Sequence, residues 1–317
     1  MNLVICHTPL QMLIASHLIA QLPETPFEVW AFAYTRNVKT EHYYARLTEY
    51  SQRADYAILT PKQPLSYART LCYIKKRFSG RHYETVFVSS INSLVVHLLL
   101  SCITFDRLET FDDGTGNITP SSVFYRNEPP SLLRRCVQGL CGICFDTATV
   151  RKVSCRHHTL YPDSPNIIEH TVPLTLLPEI SVQVATHKRQ KILLGQPLLP
   201  NAADNIALAH HLLHELDITH YYPHPREDYR VPNVAYIDTP LIFEDWLVQA
   251  IQTAPDTHFE IYHLFSTAAL NVANLPNISL YAIDLSECMD IKQTLNRTLF
   301  EQYRNHIVRP HFRIEAA

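Results

Sequence analysis

The chain has 317 residues, with 27 basic and 30 acidic side chains and a formal net charge of −3. Apolar residues make up 46% and charged residues 18%, which excludes a disordered or collagen-like chain and supplies ample material for a core. A nucleic-acid binder of this size carries a basic excess or stripe, and none is visible.

At about 100–200 residues per domain, the length fits two domains or one large one. In the first half, β-type runs occupy 2–6, 27–34, 56–59, 85–89 and 107–111, with helical patterns over 10–21, 41–52 and 63–77 between them. The most apolar stretch, 93–105, contains His97. It is shorter than the roughly 20 residues a membrane span needs, so it reads as a buried helix. Strands separated by helices of this length predict βαβ units, and near-continuous apolar strands predict a parallel sheet covered on both faces.

The segment 160–188 holds four prolines and lacks periodicity, and it reads as a linker. A second alternating series follows. Its strands are expected at 191–195, 218–222, 234–237, 259–265 and 279–283, and its helices at 204–216, 243–253 and 267–274. The expected organisation is a Rossmann-like domain over 1–158, a linker over 159–189 and a second Rossmann-like domain over 190–317. Neither half contains Gly-x-Gly-x-x-Gly, so no dinucleotide motif is present. Pieces after Leu285 stay unplaced. Ligands of open α/β sheets bind at the carboxyl ends of strands, so two facing domains predict a site in the cleft between them.

The N-terminus shows no basic, apolar and small-residue succession of a signal peptide. The expectation is a cytoplasmic protein with reduced thiols, at most peripheral to a membrane. Cys136, Cys141, Cys144 and Cys155, followed by His157 and His158, offer half of a zinc pattern. A second Cys-x-x-Cys is missing, and 131–137 reads as a helix with Cys136 on its apolar face. The expected metal complement is none.

Four strand ends carry polar residues suited to chemistry. Asp112-Asp113-Gly114 follows the fifth strand with two of the six glycines nearby. A carboxylate held there can bind a sugar hydroxyl or take its proton, and the plainer alternative is an Asp-Gly turn. His224 lies between Pro223 and Pro225, which keep it out of a helix. Such a histidine can act as an acid or hold a phosphate. Gly195-Gln196-Pro197 ends the first strand of the second half, where glycine permits close backbone approach. Phe265-Ser266-Thr267 opens a helix, a position that suits an N-cap or a phosphate. His7, Thr8 and Gln11 follow the first strand, and Glu244 and Asp245 start a helix whose dipole favours acids.

These motifs occur together and in order in a known family. The stretches NLVICHTPLQM, TFDDGTGN, KILLGQP, YYPHPRE, IFEDW and EIYHLFSTAALNVANLPNISLYA span residues 2 to 283. They resemble the bacterial lipooligosaccharide sialyltransferases, glycosyltransferase family 52. The resemblance implies a GT-B fold, with two Rossmann-like domains whose parallel sheets face across a cleft. It implies inverting, metal-independent and cofactor-free transfer of sialic acid from the donor CMP-sialic acid to a terminal galactose, with α2,3 linkage expected.

The resemblance further implies that the first domain binds the acceptor, through Thr8, Gln11, Asp112, Asp113 and Gly114. The second binds CMP, through Gly195, Gln196, Pro197, His224, Pro225, Arg226, Glu244, Phe265, Ser266 and Thr267. His224 is placed at the leaving phosphate. In one member of the family the base is an aspartate directly after the Gly-x-Pro step, where this chain has Leu198. The base is then Asp204 or Asp113, and the Asp-Asp-Gly motif, used so in a distantly related group of sialyltransferases, favours Asp113. A homodimer and peripheral contact with the inner face of the bacterial inner membrane are further expectations of the resemblance. A glycosyltransferase of the same fold with another nucleotide-sugar donor is the alternative. A non-catalytic protein holding zinc at the Cys136–His158 cluster is a more distant one.

Overall fold

The computed structural model describes residues 1–59, 64–126, 138–139, 141–181, 187–286, 288, 300, 303 and 305–310. The chain forms two compact units, Met1–Leu176 and Leu177–Ala317.

In the first unit the strands are β1 (Asn2–Cys6), β2 (Phe27–Ala33), β3 (Arg53–Ile58), β4 (His82–Val88), β5 (Thr104–Phe111), β6 (Ser154–Thr159) and β7 (Thr171–Pro173). They form one sheet in the order β3-β2-β1-β4-β5-β6-β7. Every described pairing in it is parallel. Helices α1 (Pro9–Ala20), α2 (Val38–Thr48), α3 (Pro64–Phe78), α4 (Leu94–Leu100) and α5 (Thr147–Val153) accompany it. All residues of β1 and β2 are buried, as a strand covered on both faces requires. Eight of the twelve residues of α1 are buried, which is why its sequence is apolar all round. The core gathers Leu3, Ile5, Trp30, Phe32, Val86, Val88 and Leu99.

The apolar stretch 93–105 does not run on as one helix. The α4 helix stops at Leu100, and β5 begins at Thr104. The segment expected as a linker contributes β7, an edge strand paired with β6. Its brevity and its proline suit an edge.

The second unit repeats the plan. Its strands are β8 (Lys188–Leu194), β9 (His220–Tyr222), β10 (Ala235–Tyr236), β11 (Thr257–His263), β12 (Ile278–Ile283) and β13 (Asn305–Val308), in the order β10-β9-β8-β11-β12-β13. These pairings are also parallel. Helices α6 (Ala202–Glu215), α7 (Phe243–Thr253) and α8 (Thr267–Asn271) lie between them. Ile192, Leu194, Phe243, Leu247, Ile261 and Leu280 form one core layer. Leu193, Leu208, Leu212 and Tyr262 form the other.

In both sheets the chain reverses direction of growth beside the first strand, at β1/β4 and at β8/β11. Such switch points open crevices at the carboxyl ends of the strands.

One buried charge cluster ties the first sheet to α3. Glu28 is 1% exposed. It accepts from Arg77 Nη2 at 2.5 Å, Arg81 Nη1 at 3.1 Å and Tyr83 Oη at 2.9 Å. Removing it takes the shared acceptor from two partly exposed guanidinium groups and from the buried Tyr83 hydroxyl. Glu28→Ala is expected to destabilise the protein by about 3 kcal/mol, measured by urea unfolding.

Among the described residues, no helix is long and apolar enough to cross a membrane.

Candidate active site

The switch point of the first sheet gathers β1, β4 and β5 ends around Asp113. Helix α1 opens with a capping box. Thr8 Oγ1 accepts from Gln11 N–H at 3.3 Å, and Gln11 Oε1 accepts from the backbone N–H of His7 at 2.7 Å and Thr8 at 3.4 Å. The other end of the same amide donates to Asp113 Oδ1 at 2.5 Å and to Ser90 Oγ at 2.8 Å. Ser90 Oγ donates to Asp113 Oδ2 at 2.9 Å. A glutamate at position 11 would complete the box equally well, but it would set a second carboxylate against Asp113. The amide supplies donors instead.

Asp113 is half-buried, and burial pushes its carboxyl up to about 6, with the Gln11 and Ser90 hydrogen bonds opposing and the Asp112 charge adding to the rise. A carboxylate poised there suits a general base at neutral pH.

The loop after β5 is braced throughout. Asp113 N–H donates to Asn117 Oδ1 at 3.2 Å, and Tyr125 Oη donates to Asn117 O at 2.7 Å. Gly114 sits at φ +83°, in the region that favours glycine. Gly116 has the Phe124 ring where a Cβ would stand.

Two residues expected to contact the acceptor are placed otherwise. Asp112 is 0% exposed. Its Oδ1 meets His157 Nε2 at 2.9 Å, and its Oδ2 accepts from Thr159 Oγ1 at 3.0 Å and Leu160 N–H at 2.5 Å. It is committed to joining β5 and β6, since successive side chains leaving a strand point apart. Gln11 is also 0% exposed, and its amide is occupied by the loop contacts above. Thr8 is half-buried, as the helix cap.

The Cys–His cluster is dispersed. Cys136 lies outside the described residues. Cys144 is near Ser101, His157 meets Asp112 and Thr110, and His158 meets Glu109 at 2.7 Å. Among the described residues, no group of three His, Cys, Asp or Glu is placed to hold a metal ion.

In the second unit, polar groups collect at the ends of β8, β9 and β11. His224 is half-buried in a turn after β9. Its Nδ1 accepts from Arg226 N–H at 3.0 Å. That bond leaves the imidazole proton on Nε2, so the neutral ring is a donor there. Pro225 and Arg226 are exposed beside it, and Gln196 and Pro197 are half-buried after β8.

The glycine at the end of β8 has a different reason from close approach by a ligand. A Cβ at Gly195 would collide with the Glu227 carboxylate and stand 2.5 Å from Tyr221 Oη. Side chains of the same domain fill the space.

Phe265 holds φ +59°, a conformation that costs a bulky residue roughly 1–3 kcal/mol and persists only where its surroundings impose it. What imposes it is visible. Ser266 N–H donates to His263 Nδ1 at 3.2 Å, His263 Nε2 donates to Asn305 Oδ1 at 2.6 Å, and the Phe265 ring meets Phe300 at 4.9 Å. Burial drives His263 down to about 4, so it stays neutral and serves both bonds. The strained turn presents Ser266 and Thr267 half-buried at the strand end. Glu244, 3% exposed at the start of α7, accepts from Asn271 Nδ2 at 2.7 Å.

Asp204 is half-buried on the first turn of α6. Its N–H donates to Asn201 Oδ1 at 2.8 Å and its Oδ2 accepts from Asn201 Nδ2 at 2.5 Å. This reciprocal cap accounts for the residue as a helix start. Leu198 packs against the core, with its loop tied down by Asn205 Oδ1 at 2.9 and 3.0 Å from Leu198 and Leu199 N–H.

Comparison with known proteins places this architecture. A family model for glycosyltransferase family 52 matches residues 27–287. The chain belongs to glycosyltransferase family 52. A Pasteurella multocida (strain Pm70) protein named CMP-N-acetylneuraminate:beta-galactoside alpha-2,3-sialyltransferase is 39% identical over 286 residues, 90% of this chain and 92% of that one. An N-acetyllactosaminide alpha-2,3-sialyltransferase of Haemophilus influenzae (strain ATCC 51907 / DSM 11121 / KW20 / Rd) is 29% identical over 308 residues, covering 95% and 100% of the two chains. Among solved structures, the glycotransferase of kitacinnamycin superposes with a TM-score of 0.52 at 9% identity, over 97% of this chain and 86% of that one. The calicheamicin glycosyltransferase CalG4 gives 0.50 at 12%, over 98% and 85%. At those identities the likeness concerns the fold alone, and it agrees with the expected GT-B architecture.

Of the groups named from the sequence, Asp113, His224, Ser266 and Thr267 stand half-buried just past their strand ends, whereas Asp112 and Gln11 are buried in the structure and Asp204 takes part in a helix cap. The supports were missed. Thr8-x-x-Gln11 is a capping-box spacing readable from sequence. Ser90 and His263 have no complete local signature, since Gln11 and Asn305 reach them from distant elements, and Glu227 lies in an irregular turn whose contacts no sequence pattern announces.

Proposed function

We propose that this family 52 glycosyltransferase transfers sialic acid from CMP-sialic acid to the 3-hydroxyl of a terminal galactose, with inversion. Supporting the donor, the acceptor sugar and the linkage is the Pasteurella relative, a CMP-N-acetylneuraminate:beta-galactoside alpha-2,3-sialyltransferase by name, which aligns over 90% of the chain. The Asp113 environment supports the chemistry.

On this reading the first unit handles the acceptor and the second handles CMP. Asp113 takes the proton of the attacking galactose hydroxyl. The new bond forms at the anomeric carbon of sialic acid as its bond to the phosphate oxygen of CMP breaks. The transition state is oxocarbenium-like, as in other glycosyl transfers. His224 Nε2–H hydrogen-bonds the departing phosphate oxygen, and Ser266 and Thr267 hold the same phosphate. Glu244, oriented by Asn271, lies on the nucleotide side. A single phosphate leaves without needing the charge neutralisation that a diphosphate demands, so no metal or other cofactor is assigned a role.

The galactose belongs to a lipooligosaccharide or a similar glycan. Peripheral contact with the membrane that carries such an acceptor, and a homodimer, are part of the same proposal.

The test is CMP release from CMP-sialic acid in EDTA, with and without lactose. Acceptor-dependent release and an α2,3-linked product are expected. Absence of CMP binding by calorimetry would overturn the donor assignment.

A further inference from the structure

The turn that carries His224 is organised by a residue to which no role has yet been given. Glu227 lies three positions on and is half-buried. Its Oε1 accepts from His224 N–H at 2.9 Å and from Tyr221 Oη at 3.0 Å. Its own N–H donates to His224 O at 3.0 Å. Side chain and backbone thus clasp the histidine from both sides. Tyr221 is 1% exposed on β9, so one anchor of the clasp is fixed in the sheet core. The third wall is Gly195 at the end of β8, whose missing Cβ is the space that the Glu227 carboxylate fills. Within the clasp, Arg226 N–H is brought to His224 Nδ1, which sets the tautomer.

We infer that Glu227 is a positioning residue for His224, and that Gly195 is a glycine because Glu227 must pass there. The inference rests on the reading that His224 faces the leaving phosphate. It goes beyond that reading by naming what aims the imidazole and which nitrogen carries its proton. A carboxylate is well suited to the task, since it accepts two bonds at one oxygen and charge strengthens both.

A misplacement of about 1 Å at a reacting group can cost on the order of 100-fold in rate. Glu227→Ala is therefore expected to lower kcat by about 100-fold while the KM for CMP-sialic acid moves by less than about threefold. Glu227→Gln keeps an oxygen acceptor of the same reach and should recover kcat to within about tenfold of wild type. Glu227→Asp keeps the charge, withdraws the oxygen by one methylene, and should stay low. It guards against loss of folding in the alanine variant, because all three can be checked by circular dichroism.

The deciding measurement is the double-mutant cycle with His224→Ala. If Glu227 acts through His224, Glu227→Ala removes nothing further from His224→Ala, within about twofold. A full additional loss in that background would mean a structural role only and would overturn the inference. So would a glutamine variant no better than alanine. Should His224→Ala itself retain wild-type kcat, the role of His224 fails first and takes this inference with it, an outcome recognisable from that single variant.

Discussion

Asp113→Asn is expected to lower kcat by about 10²–10⁴-fold, the usual contribution of a general base, while making the folded protein more resistant to heat at neutral pH. Both effects follow from the same burial. The folded-state carboxyl titrates near 6 against an ordinary 3.8. Between these values the native state holds a proton that the unfolded chain has already lost, so stability falls as pH rises through this window. Above about pH 6 the whole penalty is present, up to about 3 kcal/mol at 1.36 kcal/mol per unit. Asparagine never ionises. Its carbonyl can take the Gln11 bond, and the Ser90 hydroxyl can turn to accept from its amide. The unfolding midpoint of the variant should therefore exceed that of wild type at pH 7.5 and converge with it near pH 4, by scanning calorimetry across pH. The wild-type kcat/KM should rise with pH through about 6 and then level. Activity kept in Asp113→Asn and lost in Asp204→Asn would transfer the role of base to Asp204, against the helix cap that now accounts for that residue.

His224→Ala is expected to lower kcat by about 10²–10³-fold, the loss typical of one donor aimed at developing charge. The affinity for CMP, by titration calorimetry, should change far less. With Nδ1 engaged by Arg226 N–H, the role proposed for His224 is a hydrogen bond from Nε2 to the leaving phosphate rather than a delivered proton. A consequence separates the two roles. Loss of a true general acid introduces a dependence on leaving-group protonation, whereas loss of a hydrogen-bond donor lowers the whole pH profile without changing its shape. A profile that changes shape in His224→Ala would contradict the tautomer assignment.

Legibility in the sequence tracked how much of each element is apolar. The strand β1 and the helix α7 were read to the residue, because an apolar run ends flush against turn chemistry. The strands β4 and β5 begin three residues earlier than read, at His82 and Thr104, where exposed polar side chains break the pattern. The strand β6, SCRHHT, escaped altogether. Its interior is held by Thr110–His157–Asp112 and His158–Glu109 contacts, and a buried polar network has no hydropathy signature. The Asp-Asp-Gly and His-Pro motifs stood out through glycine and proline in a chain with only six glycines. Their environment did not. Gln11 and Asp113 are 102 positions apart, and only the crossover from β1 to β4 to β5 makes them neighbours.

That separation has a consequence for the order in which the protein is made. Domains assemble from the N-terminus as the chain emerges. The first unit lays down an interior strand first, builds to the β3 edge, and returns through β4 and β5 to the other side. Until β5 is seated, Asp113 has neither its amide partner nor its dry surroundings, and it is an ordinary exposed carboxylate. A nascent chain that already contains Asp113 but has not yet paired β5 with β4 therefore carries the proposed base without the surroundings that tune it, however much of its sheet has formed.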